Sequence, residues 1–262
     1  MTKEAENRKH YIDVAKSYMG TVGGSMNHAD ILHFFNTVKP QGYAAKKSDP
    51  WCAIFVSACA IQAFGKKNAK TYFPLSASCS RMITEAKAKG ICVEKDSYKP
   101  DPGDLILYDW EDSGKGDNRG TPNHVGIVEK CKDGKITVIE GNYSNKVKRR
   151  TIEVNGKRIR GFCTPRFDRI NAAYDIKPLQ EVVIEVLSGQ WGSGSTRKNA
   201  LISAGYDYAA VQKEVTRITK LTDKVLSGKY GTGEDRKKAL GKDYEIVQWN
   251  VNRILNERKE TK

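Results

Sequence analysis

The sequence predicts an α+β domain followed by two small all-α repeats of three helices each. Three features of the 262-residue chain lead to this fold class. They are an apolar helical segment after Cys52, two segments of alternating apolar residues between positions 124 and 142, and an internal repeat after position 180. Alternation with a period of two is typical of strands, whereas apolar residues three or four positions apart are typical of helices.

The apolar helical segment begins at the motif Trp51-Cys52-Ala53. Pro50 suits the first turn of a helix, where its missing N–H is not needed. Residues 53–63 are mostly apolar, so we expect a buried helix that holds Cys52 at its N-terminus. The positive end of a helix dipole lowers the pKa of a thiol from its free value of about 8.5 and favours the nucleophilic thiolate. Cys52 is therefore the candidate nucleophile.

The two predicted strands supply candidate partners for that thiol. His124 begins the first strand, and Glu140 and Asn142 share a face at the end of the second because they are two residues apart. An oxygen that accepts the imidazole N–H holds a histidine in the tautomer that a cysteine nucleophile needs. We predict that His124 is the general base and then the acid, that Glu140 orients it directly, and that Asn142 is a second orienting residue.

Taken by itself, a cysteine on an apolar helix is more often a small buried core residue than a nucleophile. We expect this core role for the remaining cysteines, which are Cys59, Cys79, Cys92, Cys131 and Cys163. They form no C-x-x-C pair and stand at no metal-ligand spacing with a histidine, so the sequence predicts no metal site. Disulfides are not expected either.

The internal repeat lies in the last third of the chain. A nine-residue segment that begins at Val186 recurs 39 positions later at Val225, and a Gly-x-Asp-Tyr segment at Gly205 recurs 36 positions later at Gly241. Three residues are therefore missing from the second copy. Each copy predicts a helix that ends at Ser-Gly, a glycine-rich turn, a short helix and a longer helix.

Four motifs, taken in chain order, resemble the CHAP amidase/peptidase domain. They are Trp-Cys-Ala at 51–53, Pro-Gly-Asp-Leu-Ile at 102–106, Asn-His-Val-Gly-Ile-Val at 123–128 and Glu-Gly-Asn at 140–142. The resemblance implies a papain-like fold with an antiparallel sheet and a peptidoglycan hydrolase of the kind common in phage endolysins. It implies the same catalytic residues, Cys52, His124, Glu140 and Asn142. Some members carry an acidic calcium loop before the cysteine, but residues 44–49 read Ala-Ala-Lys-Lys-Ser-Asp here, so we expect no metal and no cofactor.

The two C-terminal copies resemble cell-wall-binding repeats of the CW-seven type. The matching residues are the Gly-x-Trp/Tyr-Gly-x-Gly turn, the arginine that follows it and the Gly-x-Asp-Tyr-x-x-Val-Gln segment. The resemblance implies binding to the disaccharide-peptide unit of peptidoglycan. Trp191 and Tyr230 are then expected to stack on a sugar, and Arg197 and Arg236 to pair with a carboxylate. The alternative for the aromatic side chains is that they form the core of a small bundle.

These resemblances set the expected domain boundaries. We expect the catalytic domain at residues 1–168, a linker at 169–178, a first repeat at 179–219, and a second repeat with a polar tail at 220–262. The preferred activity is that of an N-acetylmuramoyl-L-alanine amidase. Peptidoglycan endopeptidase, host autolysin and a catalytically dead wall-binding protein are the alternatives, and the sequence gives no indication of the oligomeric state.

Charge and hydropathy restrict partners and location. The net charge of +14 suits bacterial peptidoglycan and anionic wall polymers, whereas no recognition motif points to nucleic acid. No segment has the roughly 18 to 20 apolar residues of a membrane span. Residues 1–9 lack the apolar core of a secretion signal. We expect the protein to stay in the host cytoplasm until a holin releases it to the wall, as the resemblance to endolysins implies.

Overall fold

Helices form the N-terminal part of the chain. The computed structural model describes residues 2–112, 114, 118–171 and 177–260, and the chain divides into two units between residues 174 and 175. The helices that precede the sheet are α1 (Lys3–Ser17), α2 (Met26–Asn36), α3 (Cys52–Tyr72) and α4 (Cys79–Ala88). The side chains of Thr2, Ser25 and Ser78 accept backbone N–H groups at the starts of α1, α2 and α4. Trp51 at the start of α3 makes no such side-chain bond, so the cysteine end of that helix is left uncapped.

An antiparallel sheet follows the helices in the first unit. Its strand order in the described residues is β1-β6-β2-β3-β4-β5. The strands are β1 (Cys92–Val93), β2 (Leu105–Tyr108), β3 (His124–Lys132), β4 (Lys135–Glu140), β5 (Lys148–Glu153) and β6 (Ile159–Cys163). The predicted α+β class with an antiparallel sheet is confirmed.

Helix α3 is the central element of the first unit. It lies against α1, α2, β3 and β4, and every residue from Cys52 to Phe64 is buried. Gly141 follows β4, and a Cβ atom at this position would lie 2.5 Å from Cβ of Phe55. A glycine is therefore needed for α3 to approach the end of β4 this closely. Because Phe55 is one helical turn after Cys52, the contact brings the cysteine to the end of the strand that carries Glu140.

The second unit is helical throughout its described residues. Its helices are α5 (Leu179–Leu187), α6 (Gly194–Ser203), α7 (Tyr208–Leu226), α8 (Gly233–Leu240) and α9 (Tyr244–Glu260). The buried face of α7 is formed by Val211, Val215, Ile218, Thr222 and Val225, at the three- and four-residue spacing of an amphipathic helix. These side chains pack with apolar residues of α5 and α9 in one core. Among the helices of the described residues, none combines the length and apolarity that a membrane span requires.

The sequence repeat is also a repeat of backbone conformation. In each copy three glycines of the turn have a positive φ, which other residues adopt at a cost. Their φ angles are 79°, 70° and 54° at Gly189, Gly192 and Gly194, and 79°, 62° and 57° at Gly228, Gly231 and Gly233.

The boundary expected between the two repeats lies inside a helix. The sequence analysis places it between residues 219 and 220, but that point lies within the continuous helix α7. The first half of α7 is the third helix of the first copy, and its second half is the first helix of the second copy. Two independent three-helix units would each bury little apolar surface, whereas a shared helix gives both copies one core.

Described residues at both ends of the expected linker, 169–178, each contact the unit that they adjoin. Ile170 is buried in the first unit, where the side chain of Asn7 donates to its carbonyl oxygen. At the other end, the backbone N–H of Lys177 donates to the hydroxyl of Tyr206 in the second unit. Residues 172–176 lie outside the described residues.

Candidate active site

Neighbouring strands place a row of polar side chains at one end of the sheet. Tyr108 on β2 lies opposite His124 on β3, and the two rings stack with centroids 5.8 Å apart. Nε2 of His124 is 3.1 Å from Oε2 of Glu140 on β4, and Nε of Arg150 on β5 donates to Oε1 of Glu140 at 2.8 Å. The order across the sheet is therefore aromatic ring, imidazole, carboxylate and guanidinium.

A glycine makes room for the contact between imidazole and carboxylate. The pairing of Ile127 with Ile139, continued by one residue, places Glu140 opposite Gly126. A Cβ atom at Gly126 would lie 2.8 Å from Cγ of Glu140, so a larger residue would displace this side chain. With glycine there, the carboxylate reaches diagonally to His124, as side chains of neighbouring strands can.

Asn142 does not occupy the predicted position. Strand β4 ends at Glu140, and Asn142 has a φ of 58°, which ends the alternation that would have placed it on the face of Glu140. Among the described residues, its side chain has no hydrogen bond to His124. The prediction that Glu140 and Asn142 share a strand face is therefore wrong, because the chain turns at Gly141.

Cys52 completes the row from the N-terminus of α3. It is 5% exposed, and the neighbouring His124 side chain lowers its pKa. Because Nε2 of His124 already bonds Glu140, the other ring nitrogen, Nδ1, is left for the sulfur. The structure thus brings together Cys52, His124 and Glu140, and the tautomer that Glu140 selects presents the imidazole to the thiol.

The electrostatics favour an ion pair between sulfur and imidazole. A hydrogen bond from Cys79 is the largest influence that lowers the pKa of Cys52, and His124 and the N–H of Ala53 lower it further against the opposing effect of burial. For His124, burial lowers the pKa, but the hydrogen bonds and charges of Cys52 and Glu140 outweigh it and raise the pKa to about 9. Both shifts favour a thiolate beside an imidazolium.

Arg150 keeps the carboxylate ionised although Glu140 is fully buried. Burial raises the pKa of Glu140, and the hydrogen bonds and charges of His124 and Arg150 reverse this and lower it. The guanidinium lies over the rings of Tyr143 at 4.1 Å and Trp110 at 4.8 Å, which hold it in place. Trp110 also stacks on Tyr108 with centroids 4.7 Å apart.

The sequence analysis missed two residues of this site. It does not name Arg150, although the alternation of β5 places Arg150 and Lys148 on the face opposite to Arg149. It treats Cys79 as a core residue, whereas the sulfur atoms of Cys79 and Cys52 are 3.7 Å apart. Alternation along β5 was a usable signal for Arg150, but no sequence signal marks Cys79.

An open cleft is lined by residues that precede Cys52 and Cys79 in the chain. It has a volume of about 510 Å³ and is lined in part by Pro50, which is two residues before Cys52, and by Ser78, which precedes Cys79. Tyr43 and Arg81 also line it. The cleft is large enough for part of a peptide or sugar chain.

No group of three or more His, Cys, Asp or Glu side chains in the described part of the chain is arranged to hold a metal ion. Before Cys52, the carboxylate of Asp49 accepts hydrogen bonds from the hydroxyl of Tyr43 and the N–H of Lys46. This carboxylate is therefore used within its own loop.

The candidate wall-binding residues lie together in pairs within the second unit. Nε of Arg197 donates to the carbonyl oxygen of Gly192, which follows Trp191, and Nε of Arg236 donates to that of Gly231, which follows Tyr230. Each arginine is thus next to the aromatic residue of its own turn.

The two pairs have structural roles as well. Arg236 also donates to the side-chain oxygen of Gln248, so its guanidinium braces the turn from two sides. The indole N–H of Trp191 donates to Glu185, and the ring packs edge-on against Tyr206. Arginines that the sequence analysis assigns to ligand contact therefore also hold the backbone of the turn. Their role in binding stays a prediction.

We expect the Glu140→Gln variant to lower the pKa of His124 from about 9. The substitution removes the negative charge that favours imidazolium, so the ring loses its proton at a lower pH than in the parent protein. NMR titration of the imidazole signals measures this shift. Glu129→Gln is the control. Glu129 lies on β3, the strand that carries His124, but its carboxylate pairs with Arg149 and Lys16 instead. Equal titration of His124 in all three proteins would contradict the assigned contact.

Comparison with known families finds a match in each unit of the chain. The CHAP domain family matches residues 43–142, a range that contains Cys52, His124 and Glu140 but not Arg150. The CW_7 repeat family matches residues 180–219 and 219–255, and the two matches meet inside α7.

A curated relative is a lysozyme from Streptococcus phage Cp-7. It is 45% identical over 51 residues, which are 20% of this chain and 15% of that lysozyme, so the match spans a small part of the relative. No solved structure matches the chain. On the two family matches, the chain is a CHAP-domain protein with two C-terminal CW_7 repeats.

Proposed function

We propose that this protein is a cysteine-dependent peptidoglycan hydrolase of the phage endolysin type. The observation that carries the proposal is the bond between His124 and Glu140 at 3.1 Å, with Cys52 at the start of α3 close enough for His124 to lower its pKa. A cleft lined by Pro50 and Ser78 lies near the start of that helix. The CHAP match and the phage lysozyme relative support the substrate class, and the CW_7 repeats support delivery to a cell wall.

The proposed reaction begins with attack of the Cys52 thiolate on an amide carbonyl carbon. The backbone N–H of Cys52, at the uncapped start of α3, donates to the oxyanion that forms. His124 gives the proton on Nδ1 to the leaving amine, and the C–N bond breaks to leave a thioester on Cys52.

Water then hydrolyses the thioester. Neutral His124 accepts a proton from the water as it attacks, and Cys52 leaves as thiolate beside a re-formed imidazolium. Throughout this cycle Glu140 and Arg150 carry opposite charges, so the carboxylate can stabilise the imidazolium without becoming protonated itself.

The preferred bond is the amide between N-acetylmuramic acid and L-alanine. This preference rests on the CW_7 repeats, which we take to bind at the junction of sugar and peptide, so that the catalytic unit would meet the same junction. Cleavage within the stem peptide or cross-bridge is the alternative, because the same thiolate chemistry serves either amide.

We expect Cys52→Ala to abolish the release of soluble fragments from purified walls. Removal of the sulfur removes the nucleophile, whereas the bulk of the buried residue changes little. Turbidity loss of a wall suspension measures the activity. Cys131→Ala is the control, because Cys131 on β3 is half-buried and lies outside the catalytic row, and it should retain parental activity. An active Cys52→Ala protein would refute the proposed mechanism.

Mass spectrometry of the digested walls distinguishes the two bonds. Amidase action should produce glycan strands with free lactyl carboxylates on their muramic acid residues. It should also produce peptides that begin with the first alanine of the stem. New amino termini further along the stem or within the cross-bridge would instead identify an endopeptidase. The second result would overturn the amidase preference and leave the cysteine mechanism in place.

We expect the aromatic residues of the two turns to contribute to wall binding. In the inactive Cys52→Ala protein, Trp191→Ala and Tyr230→Ala should each weaken co-sedimentation with purified walls. The double variant should lose more than either single variant, because two tethered sites raise the effective concentration of ligand. Leu255→Ala, which alters an exposed apolar residue on α9, is the control. Unchanged binding by a double variant with parental circular dichroism would contradict the expected role.

A further inference from the structure

A second thiol lies against the proposed nucleophile. Cys79 is the first residue of α4, and its sulfur is 3.7 Å from the sulfur of Cys52. Cys79 is 7% exposed and Cys52 is 5% exposed, so water has little access to either. The proposed reaction uses the sulfur of Cys52 and gives no role to that of Cys79.

The position of Cys79 is held by hydrogen bonds to α3. Ser57, on the same helix as Cys52, donates from its hydroxyl to the carbonyl oxygen of Ser76 at 3.0 Å and accepts the N–H of Ser76 at 3.1 Å. The hydroxyl of Ser76 then accepts the N–H of Ser78, the residue before Cys79. Ser57 and Ser76 are both 1% exposed. This buried pair fixes the start of α4 relative to the helix that carries the nucleophile.

The chemistry of the two sulfurs differs because only one of them has a cationic partner. His124 lowers the pKa of Cys52, which favours the negative charge on that sulfur. The hydrogen bond to Cys52, burial and the charge of Cys52 all raise the pKa of Cys79 well above its usual value. Cys79 therefore keeps its proton and can donate it in a hydrogen bond to the thiolate. Hydrogen bonds to an ionised acceptor are stronger than those between neutral groups.

We propose that Cys79 is a positioning residue of the catalytic centre, whose S–H donates to the sulfur of Cys52 and stabilises its thiolate beside His124. The inference rests on the proposed function only in taking Cys52 as the nucleophile. With two hydrogen-bond donors, Cys79 and His124, the thiolate is both stabilised and held on the side of the imidazole. The thiol of Cys79 itself makes no bond to the substrate.

The pH dependence of Cys52 alkylation tests this role without any wall substrate. The full-length protein is treated with iodoacetamide across a range of pH, and peptide mass spectrometry follows modification at Cys52. In Cys79→Ala the midpoint of the rate profile should rise by about one pH unit, so that alkylation at acidic pH is about tenfold slower. Cys79→Ser, whose hydroxyl is also a donor, should recover much of this loss.

The controls separate a donor from a packing residue. Cys59→Ala changes a fully buried cysteine on α3 and should leave the alkylation midpoint of Cys52 unchanged. Thermal unfolding of each variant identifies any that does not fold. A folded Cys79→Ala protein with the parental midpoint would overturn the proposal, as would a folded Cys79→Ser protein that behaves like Cys79→Ala.

Disulfide trapping tests the contact itself and keeps the inference testable if the alanine variant does not fold. With glutathione disulfide, the Cys52 thiolate attacks one sulfur and releases one glutathione thiolate. Cys79, after loss of its proton, then attacks the mixed disulfide at the Cys52 sulfur and releases the second glutathione. The expected product is an internal Cys52–Cys79 disulfide, two glutathione molecules and a protein that dithiothreitol restores.

The outcome of trapping is independent of which bond the enzyme cuts. A stable glutathione adduct on Cys52 with no internal disulfide would overturn the contact between the two thiols. If instead the thiols behave as expected but purified walls are not degraded, the proposed hydrolase function fails and the thiol pair remains. The two failures are therefore distinguishable.

Discussion

The buried alternation of charges from Cys52 to Arg150 is the interaction on which the rest of the catalytic unit depends. A buried carboxylate or imidazolium alone would be strongly unfavourable, because each loses its hydration. In this protein each of these groups has a complementary partner beside it: the thiol of Cys52 beside His124, His124 beside Glu140, and Glu140 beside Arg150. Such a row is stable only while all of its members hold their places.

Much of the surrounding structure serves to hold those places. Gly141 permits α3 to reach the end of β4, and Gly126 leaves space for the side chain of Glu140. The rings of Trp110 and Tyr143 confine the guanidinium of Arg150. The paired hydrogen bonds of Ser57 and Ser76 attach the start of α4 to α3. None of these residues takes part in the proposed reaction, but each restricts the position of a residue in the row or next to it.

The structure of the second unit reflects a different constraint, which is the small size of each repeat. Each CW_7 copy is too small to bury a core by itself, and the shared helix α7 lets one core serve both. The same unit keeps two similar turns on one chain, although the copies are not identical: Trp191 and Glu185 of the first correspond to Tyr230 and Lys224 of the second. Two unlike turns in one rigid core suit a polymeric ligand that presents many related groups.

The sequence by itself determined the local features of this protein. The run after Pro50 requires a buried helix, alternation requires strands at His124 and before Glu140, and the 39-residue period requires repeated turns, because all of these patterns depend on near neighbours in the chain. It therefore sufficed to nominate Cys52, His124 and Glu140 as candidate site residues.

Only the tertiary structure decided which distant residues meet these three. Arg150 reaches Glu140 through the pairing of β4 with β5. Cys79 reaches Cys52 across a separation of 27 residues because hydrogen bonds between Ser57 and Ser76 hold the start of α4 against α3. The turn at Gly141 removes Asn142 from the face that simple alternation assigns to it. The end of a strand and the approach of two helices depend on the packing of the whole unit, which no local pattern encodes.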